Sequence, residues 1–147
     1  MKIGTYNVEW FDRLFDDAGQ LINNGSWSGR WDVTKTQQTQ ALGTVFQAMD
    51  LDAVMIIEAP DTSPHRSSVT ALERFAATFA LRARRAIIGF DNDTQQEIAF
   101  LYDPDMMDAR HDPIGEPSVK KAHVAAPRFD GIFRLDLDVD AMPDVVT

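Results

Sequence analysis

The stretch Asp52-Ala53-Val54-Met55-Ile56-Ile57-Glu58-Ala59-Pro60-Asp61 decides how this chain folds. Its five apolar residues from Ala53 to Ile57 follow one another without a polar interruption, and most are types that favour strands. An apolar run of this kind, preceded by a helical pattern, predicts a central strand covered on both faces. Pro60 then ends the strand, because proline has no amide hydrogen to donate to a neighbouring strand.

Glu58 is the charged residue at the end of this strand. An isolated buried charge is very costly, so a carboxylate at such a position either emerges into water or holds a partner. The segment from Lys2 to Val8 also has strand character, and Asn7 lies near its end. If the two strands are neighbours in the sheet, the Asn7 amide and the Glu58 carboxylate converge at one edge. Oxygen donors of these types suit a hard cation such as Mg²⁺.

The segment Thr5-Tyr6-Asn7-Val8, followed by a short strand that ends in Glu58, resembles the opening of the endonuclease/exonuclease/phosphatase family. That family includes DNase-I-like nucleases, exonuclease III, sphingomyelinases and inositol-phosphate phosphatases. The later segment Gln96-Glu97-Ile98-Ala99-Phe100-Leu101-Tyr102 is similar to the next strand of the family. The resemblance covers most of the chain in order. It implies a metal-dependent phosphoester hydrolase with Asn7 and Glu58 as catalytic and metal-site residues. Glu58 would bind Mg²⁺ or Mn²⁺, and Asn7 would orient the phosphate and a catalytic carboxylate.

The resemblance also implies a fold, an α/β four-layer α/β/β/α sandwich in which each half of the chain supplies most of one sheet. Two later motifs of the family, Gly-Asp-x-Asn and Ser-Asp-His, do not occur in this sequence. We therefore expect residues 1–147 to be the N-terminal part of a single such domain, a mixed sheet with helices on its outer face. We also expect this piece alone to be inactive, because the other half would supply the base that activates water.

Composition and charge restrict the function further. The 147 residues are 44% hydrophobic, which is enough for one packed domain. The sequence has no Cys and no apolar run long enough to span a membrane, so we expect a cytoplasmic protein. The net charge of −9 repels nucleic-acid phosphates on average, although a bound metal offsets this charge locally. The expected partner is a phosphoester substrate, and DNA, RNA, phospholipid and inositol phosphate all remain open.

The segment between Asp12 and Val33 is irregular, and long loops in compact domains are often functional. Four aromatic residues in this segment or directly before it are Trp10, Phe11, Trp27 and Trp31. These rings either form a lip over a substrate or pin the segment to the core by burial. Asp12 is predicted to be solvated.

Two helices are predicted around the central strand. Thr34 and Gln37 form a capping-box pattern at the start of the first helix. Its predicted buried face comprises Ala41, Leu42, Val45, Phe46 and Met49, and its predicted outer face comprises Gln38, Thr39 and Gln47. Ser67 or Ser68 caps the second helix, whose predicted apolar face comprises Val69, Leu72, Phe75, Ala76 and Phe79.

Several charged residues lie outside these elements. His65 and Arg66 follow Glu58 closely and either contact a phosphate or lie exposed in a polar loop. Residues 81–88 are predicted to form a strand that carries Arg82, Arg84 and Arg85. These arginines either protect a solvated sheet edge against aggregation or steer a phosphate.

Two later strands are predicted, at residues 97–102 and 133–139. Glu97 and Tyr102 are both candidates to approach the metal-binding edge. Asp136, Asp138 and Asp140 alternate like the start of a calcium loop. The positions that need Gly and Glu hold Ala141 and Thr147, which excludes that reading.

A second class of function is a catalytically dead binding or assembly module. We expect all strands to form one sheet, with helices on one face and side chains from residues 54–57 and 98–101 on the other. Such a bare apolar face exceeds what soluble monomers usually expose. Self-association through this uncovered face is therefore expected.

Overall fold

The computed structural model describes residues 1–30, 32–89, 97–111 and 133–136 of the 147-residue chain. Within these ranges the chain forms two α-helices, one short 3-10 helix and six strands. In order they are β1 (Ile3–Asn7), the 3-10 helix (Phe11–Leu14), α1 (Lys35–Met49), β2 (Ala53–Ala59), α2 (Ser68–Thr78), β3 (Arg85–Ile88), β4 (Glu97–Tyr102), β5 (Asp108–His111) and β6 (Phe133–Asp136).

Four of the strands form a mixed sheet in the order β1-β2-β4-β3. β1 and β2 are parallel, with Ile3 opposite Ala53 and Asn7 opposite Ile57. β4 runs antiparallel to β2 and to β3. The apolar run therefore forms a central strand, as predicted, and the strand that ends in Asn7 is its neighbour.

Both helices pack on the same face of this sheet. Successive side chains of a strand point to opposite faces, and Val54 and Ile56 of β2 share one core with the helices. The helical members of that core include Leu42, Phe46, Leu72 and Phe75. A mixed α/β architecture with helices on one side of the sheet is thus confirmed.

α1 begins with the predicted capping box. The Thr34 hydroxyl accepts a hydrogen bond from the backbone N–H of Gln37 at 3.3 Å, and the Gln37 side chain accepts one from the backbone N–H of Thr34 at 3.0 Å. These two bonds satisfy backbone donors that the first helical turn leaves without partners.

The buried face of α1 differs from the prediction. Gln38 and Thr39, predicted to face solvent, are buried, whereas Ala41 and Val45, predicted to be buried, are exposed. Gly43 explains why the buried face of α1 is rotated from the predicted one, because a Cβ atom there would lie 2.1 Å from the ring of Phe79. The missing side chain lets that ring pack against the helix and turns the Gly43 side inward.

α2 follows the prediction closely. Ser67 is its N-cap, and its hydroxyl accepts a hydrogen bond from the backbone N–H of Thr70 at 3.3 Å. The predicted apolar residues are buried or half-buried. Phe75 is fully buried and contacts Phe11, Phe46 and Phe79.

The expectation of one sheet is wrong, because β5 and β6 form a separate antiparallel pair. Met107 and Ala109 pack with Phe100 and Tyr102 on the sheet face away from the helices. Part of the face expected to be bare is therefore covered. β6 occupies the first residues of the predicted 133–139 strand, and residues 137–139 lie outside the described ranges.

β3 is shorter than predicted and begins at Arg85, but it is an edge strand as the arginines suggested. Arg82 pairs with Asp50 and Asp52, and Arg84 pairs with Asp105 at 2.8 Å. Arg85 lies 3.5 Å from the Glu73 carboxylate. These ion pairs hold the arginines on a solvated edge strand, and phosphate steering stays an untested alternative.

Candidate functional site

Asn7 and Glu58 lie at the carboxyl ends of neighbouring parallel strands. Asn7 is opposite Ile57, and the backbone N–H of Val8 donates to the Ile57 carbonyl at 2.9 Å. Glu58 is the next residue along β2, so the structure brings the two predicted site residues to one edge. We call this end of the sheet, where Asn7 ends β1 and Glu58 lies near the end of β2, the site edge.

Neither side chain is engaged by the rest of the described chain. Asn7 is exposed and Glu58 is half-buried. Among the described residues, neither side chain has a hydrogen-bond or ion-pair partner. A half-buried carboxylate without a counter-ion in the described chain agrees with both alternatives, a side chain that emerges into water and one that holds a ligand.

Glu58 occupies a β-bulge. Ile57 is opposite Ile98 of β4, whereas Ala59 is opposite Glu97, so Glu58 is the extra residue. Its backbone is left-handed, with φ of 61°, which is uncommon for a residue with a side chain. Bulges turn side chains out of the regular alternation of a strand and occur often beside active sites. The bulge gives Glu58 a direction that a regular strand would not.

Glu97 also lies at the site edge, but Tyr102 does not. Glu97 begins β4, whose first residue is opposite Ala59 because the two strands are antiparallel. Tyr102 is at the other end of β4, opposite Ala53, so its predicted approach to the metal-binding edge is wrong. The Glu97 side chain is 1% exposed. Its two oxygens accept the backbone N–H of Thr62 at 2.9 Å and the Thr62 hydroxyl at 3.0 Å.

An ion pair between Asp12 and Arg66 links the segments that leave the site edge. The side chain of Arg66 is only 10% exposed and that of Asp12 is 32% exposed. Asp12 also accepts the backbone N–H of Asp61 at 3.0 Å, and Arg66 Nε donates to the Asp61 carbonyl at 2.9 Å. The prediction that Asp12 is solvated is wrong, because a buried guanidinium needs a counter-ion. His65 is exposed, whereas Arg66 is held by these contacts.

The aromatic residues after β1 were predicted either to form a lip over a substrate or to anchor the segment in the core, and they do not all behave alike. Phe11 is fully buried and pins the segment to the core. Trp10 and Trp27 are 43% and 66% exposed. Gly29 lies against the Trp10 ring, since a Cβ atom there would be 2.6 Å from it. An aromatic lip stays a prediction for Trp10 and Trp27, and Trp31 lies outside the described residues.

The donor set at the site edge fits a magnesium ion that keeps much of its water. The Asn7 amide oxygen and the Glu58 carboxylate are hard donors. In the described ranges, no three His or acidic side chains are grouped to hold a metal ion. Mg²⁺ commonly binds one or two carboxylates, several waters and substrate phosphates. Two protein donors at an open strand edge suit that mode rather than an enclosed site.

A second charged cluster lies at the opposite edge of the sheet, where β2 begins. Asp52 accepts the backbone N–H of Lys2 at 2.6 Å and also hydrogen-bonds Arg82. The Lys2 N–H, and after it Arg82, hold the pKa of Asp52 below the ordinary value of 3.8. Arg82 also lowers the pKa of Asp50. These carboxylates already have cationic partners, whereas Glu58 has none among the described residues.

Sequence analysis missed Thr62 and the pairing of Asp12 with Arg66. The polar loop after Pro60 offered several hydroxyl and charged side chains, and nothing in their order selected Thr62. The available signal was that Glu97 begins an apolar strand and needs a donor if it is buried.

No family model, curated protein or solved structure matches this chain. In the part of the chain that the structure describes, no helix has both the length and the apolar character needed to cross a membrane.

Proposed function

We propose that this chain carries the metal-binding part of a phosphoester hydrolase of the endonuclease/exonuclease/phosphatase type. The observation that carries the proposal is the position of Asn7 and Glu58 at the carboxyl ends of neighbouring parallel strands. Both lack a protein partner among the described residues, and Glu58 is turned out of its strand by a bulge.

Glu58 is the proposed ligand of Mg²⁺ or Mn²⁺, because it supplies the negative charge that a hard cation prefers. When bound, the ion supplies Lewis-acid stabilisation of the charge that develops on the leaving oxygen. Asn7 holds the phosphate beside Glu58 through its amide group and orients a catalytic carboxylate. Strand pairing fixes the backbone of Asn7 relative to the end of β2, which places its side chain near that end.

Hydrolysis also requires a base that activates water. The proposal assigns this base to the other half of the domain, as the family resemblance implies. It also takes residues 1–147 as the N-terminal part of one four-layer domain. The packing of Met107 and Ala109 on the sheet face away from the helices supports this, because a second sheet would lie on that face.

The charges of the chain favour binding of the substrate through the metal ion rather than through a basic surface. The net charge is −9, and Arg30, Arg66, Arg82 and Arg84 each pair with a carboxylate. A phosphoester therefore meets most of its positive charge at the proposed ion. If the metal ion supplies the positive charge, both nucleic acid and smaller phosphoesters remain candidate substrates.

The experiment compares Glu58→Gln with Glu73→Gln in a form of the protein that hydrolyses a generic phosphodiester. Glu73 pairs with Arg85 away from the site edge. Activity of the unsubstituted protein should disappear when the metal is chelated and return when Mg²⁺ is added. Of the two variants, only Glu58→Gln should lose activity. Hydrolysis that persists in excess chelator would refute the proposal.

A second candidate function, assembly through the sheet, is favoured by the exposure of Ile3. This side chain is 47% exposed on the face away from the helices, and Met55 on the adjacent strand is half-buried. β1 is also an edge strand of the four-stranded sheet. Edge strands of this kind can pair with a second chain.

A further inference from the structure

Glu97 is a buried carboxylate that the proposed chemistry does not use. It is 1% exposed and lies at the site edge on the neighbour of β2. Its two oxygens accept both donors of Thr62, the backbone N–H and the hydroxyl. Burying a carboxylate is costly unless it is hydrogen-bonded, and these two bonds offset part of that cost.

The contacts of Glu97 bracket the segment that follows Glu58. Ala59, directly after Glu58, is opposite Glu97 in the β2–β4 ladder. Thr62, three residues further along, is bound by the Glu97 side chain. Pro60, between these two attachments, is fully buried. One residue of β4 therefore fixes the chain on the C-terminal side of the bulge at two points.

The backbone of Glu58 needs such support. A left-handed conformation is unfavourable for a residue with a Cβ atom and persists only when the surrounding structure imposes it. The N-terminal side of the bulge is held by the β1–β2 and β2–β4 ladders. The C-terminal side is held by the contact of Glu97 with Thr62. Asp61, directly before Thr62, is also held by hydrogen bonds with Asp12 and Arg66.

We infer that Glu97 is a positioning residue, which holds Glu58 in its bulged conformation for metal binding by fixing Thr62. The inference rests on the proposed function, since it assigns a purpose to the direction of the Glu58 side chain. The role assigned to Glu97 is to hold Thr62 rather than to bind the ion, and each of its oxygens accepts a hydrogen bond from that residue.

The test is a calorimetric titration of the full chain with Mn²⁺ alone. Thr62→Val removes the hydroxyl that donates to Glu97 and keeps the size of the side chain, while Thr62→Ser keeps the hydroxyl. Thr78→Val is the matched control, because Thr78 is exposed and its hydroxyl donates only to Arg74 in its own helix. Thr62→Val should weaken Mn²⁺ binding about fivefold to tenfold, the scale of the net free energy of one ordinary hydrogen bond. Thr62→Ser and Thr78→Val should stay within about twofold of the unsubstituted chain.

Thermal unfolding of the same variants separates positioning from mere stability. A structural role alone would lower the unfolding temperature of Thr62→Val and leave the Mn²⁺ affinity of the folded chain unchanged. That result, or an equal loss of affinity in Thr78→Val, overturns the inference. If the unsubstituted chain binds no Mn²⁺, the proposed function fails first and the inference falls with it.

Glu97→Gln keeps the test valid if Thr62→Val does not fold. Its amide retains an acceptor for the Thr62 N–H and a donor for the Thr62 hydroxyl. Positioning therefore predicts a loss of Mn²⁺ affinity that is at least about tenfold smaller than that of Glu58→Gln. Equal losses in the two variants would make Glu97 a direct ligand and overturn the positioning role.

Discussion

Arg66 lies against Asp12 in an ion pair that joins the segment after β1 to the segment after β2. One contact thereby ties together the two pieces of chain that follow Asn7 and Glu58. It also explains why the loop after Pro60 can approach the 3-10 helix, since Asp12 accepts the backbone N–H of Asp61 as well.

Asp12→Ala is expected to destabilise the fold by about 2–3 kcal/mol, because it leaves the guanidinium of Arg66 buried without a counter-ion. Chemical denaturation monitored by circular dichroism measures this free energy of unfolding. The control is Asp108→Ala, whose pair with Arg110 is exposed on both sides. That change should cost less than about 0.5 kcal/mol. Similar costs for the two variants would show that the Asp12 pair is not structural.

The stability of the chain should depend on pH through Asp52. The Lys2 N–H and Arg82 keep its folded-state pKa below 3.8, the ordinary value that applies in the unfolded chain. The folded state therefore binds the proton less readily than the unfolded state. The resulting stabilisation is fully present above the unfolded pKa and is lost as the pH falls through the folded-state pKa. In Asp52→Asn, the shift of the urea midpoint between about pH 5 and about pH 3 should be smaller. An unchanged shift would remove Asp52 as a cause of acid sensitivity.

The elements that local patterns specify were predicted correctly. The apolar run from Ala53 to Ile57 forms the central strand, and Thr34 with Gln37 caps α1. The inward face of α1 was not predicted correctly, because it depends on the contact of Gly43 with Phe79, which is distant in the sequence. The division into two sheets likewise depends on which strands pair, and periodicity does not encode pairing.

The same distinction applies to the site. Asn7 and Glu58 were found because each ends a recognisable strand and parallel neighbours place such ends together. The bulge at Glu58 and the partners of Glu97 and Arg66 were not found, because they depend on tertiary contacts between separate segments. Tyr102 was misplaced because the antiparallel direction of β4 sends its end to the opposite edge.

Asn7→Ala should weaken metal affinity less than Glu58→Gln does and should reduce turnover strongly. The proposed task of Asn7 is to orient the phosphate, and loss of positioning in a hydrolase commonly costs about 100-fold. The measurement is turnover of a generic phosphodiester in an active form of the protein, with Mn²⁺ affinity determined in parallel. Asn23→Ala is the control, because Asn23 is exposed in the segment before α1. Turnover unaffected by Asn7→Ala would exclude the assigned role.

Self-association through the sheet is expected of the purified chain, and Ile3→Lys should reduce it. A charge on an exposed edge strand opposes pairing with a second chain. Val45→Lys is the matched control, because Val45 is 38% exposed on α1 rather than on the sheet. Light scattering gives the molecular mass of each variant. A monodisperse monomer for the unsubstituted chain would refute the assembly function.

The central claim, that Glu58 binds a divalent ion beside Asn7, is tested most directly by adding Mn²⁺ to the isotope-labelled chain and recording paramagnetic broadening of backbone amide signals. Broadening should centre on Val8, Glu58 and Ala59, and Glu58→Gln should abolish it. The carboxylates of Asp50, Asp52 and Asp105 at the opposite edge serve as an internal comparison, because Mn²⁺ held only by the general negative charge of the chain would broaden signals there too. Broadening that is centred on that opposite edge, or that survives in Glu58→Gln, would contradict the assignment of the metal site.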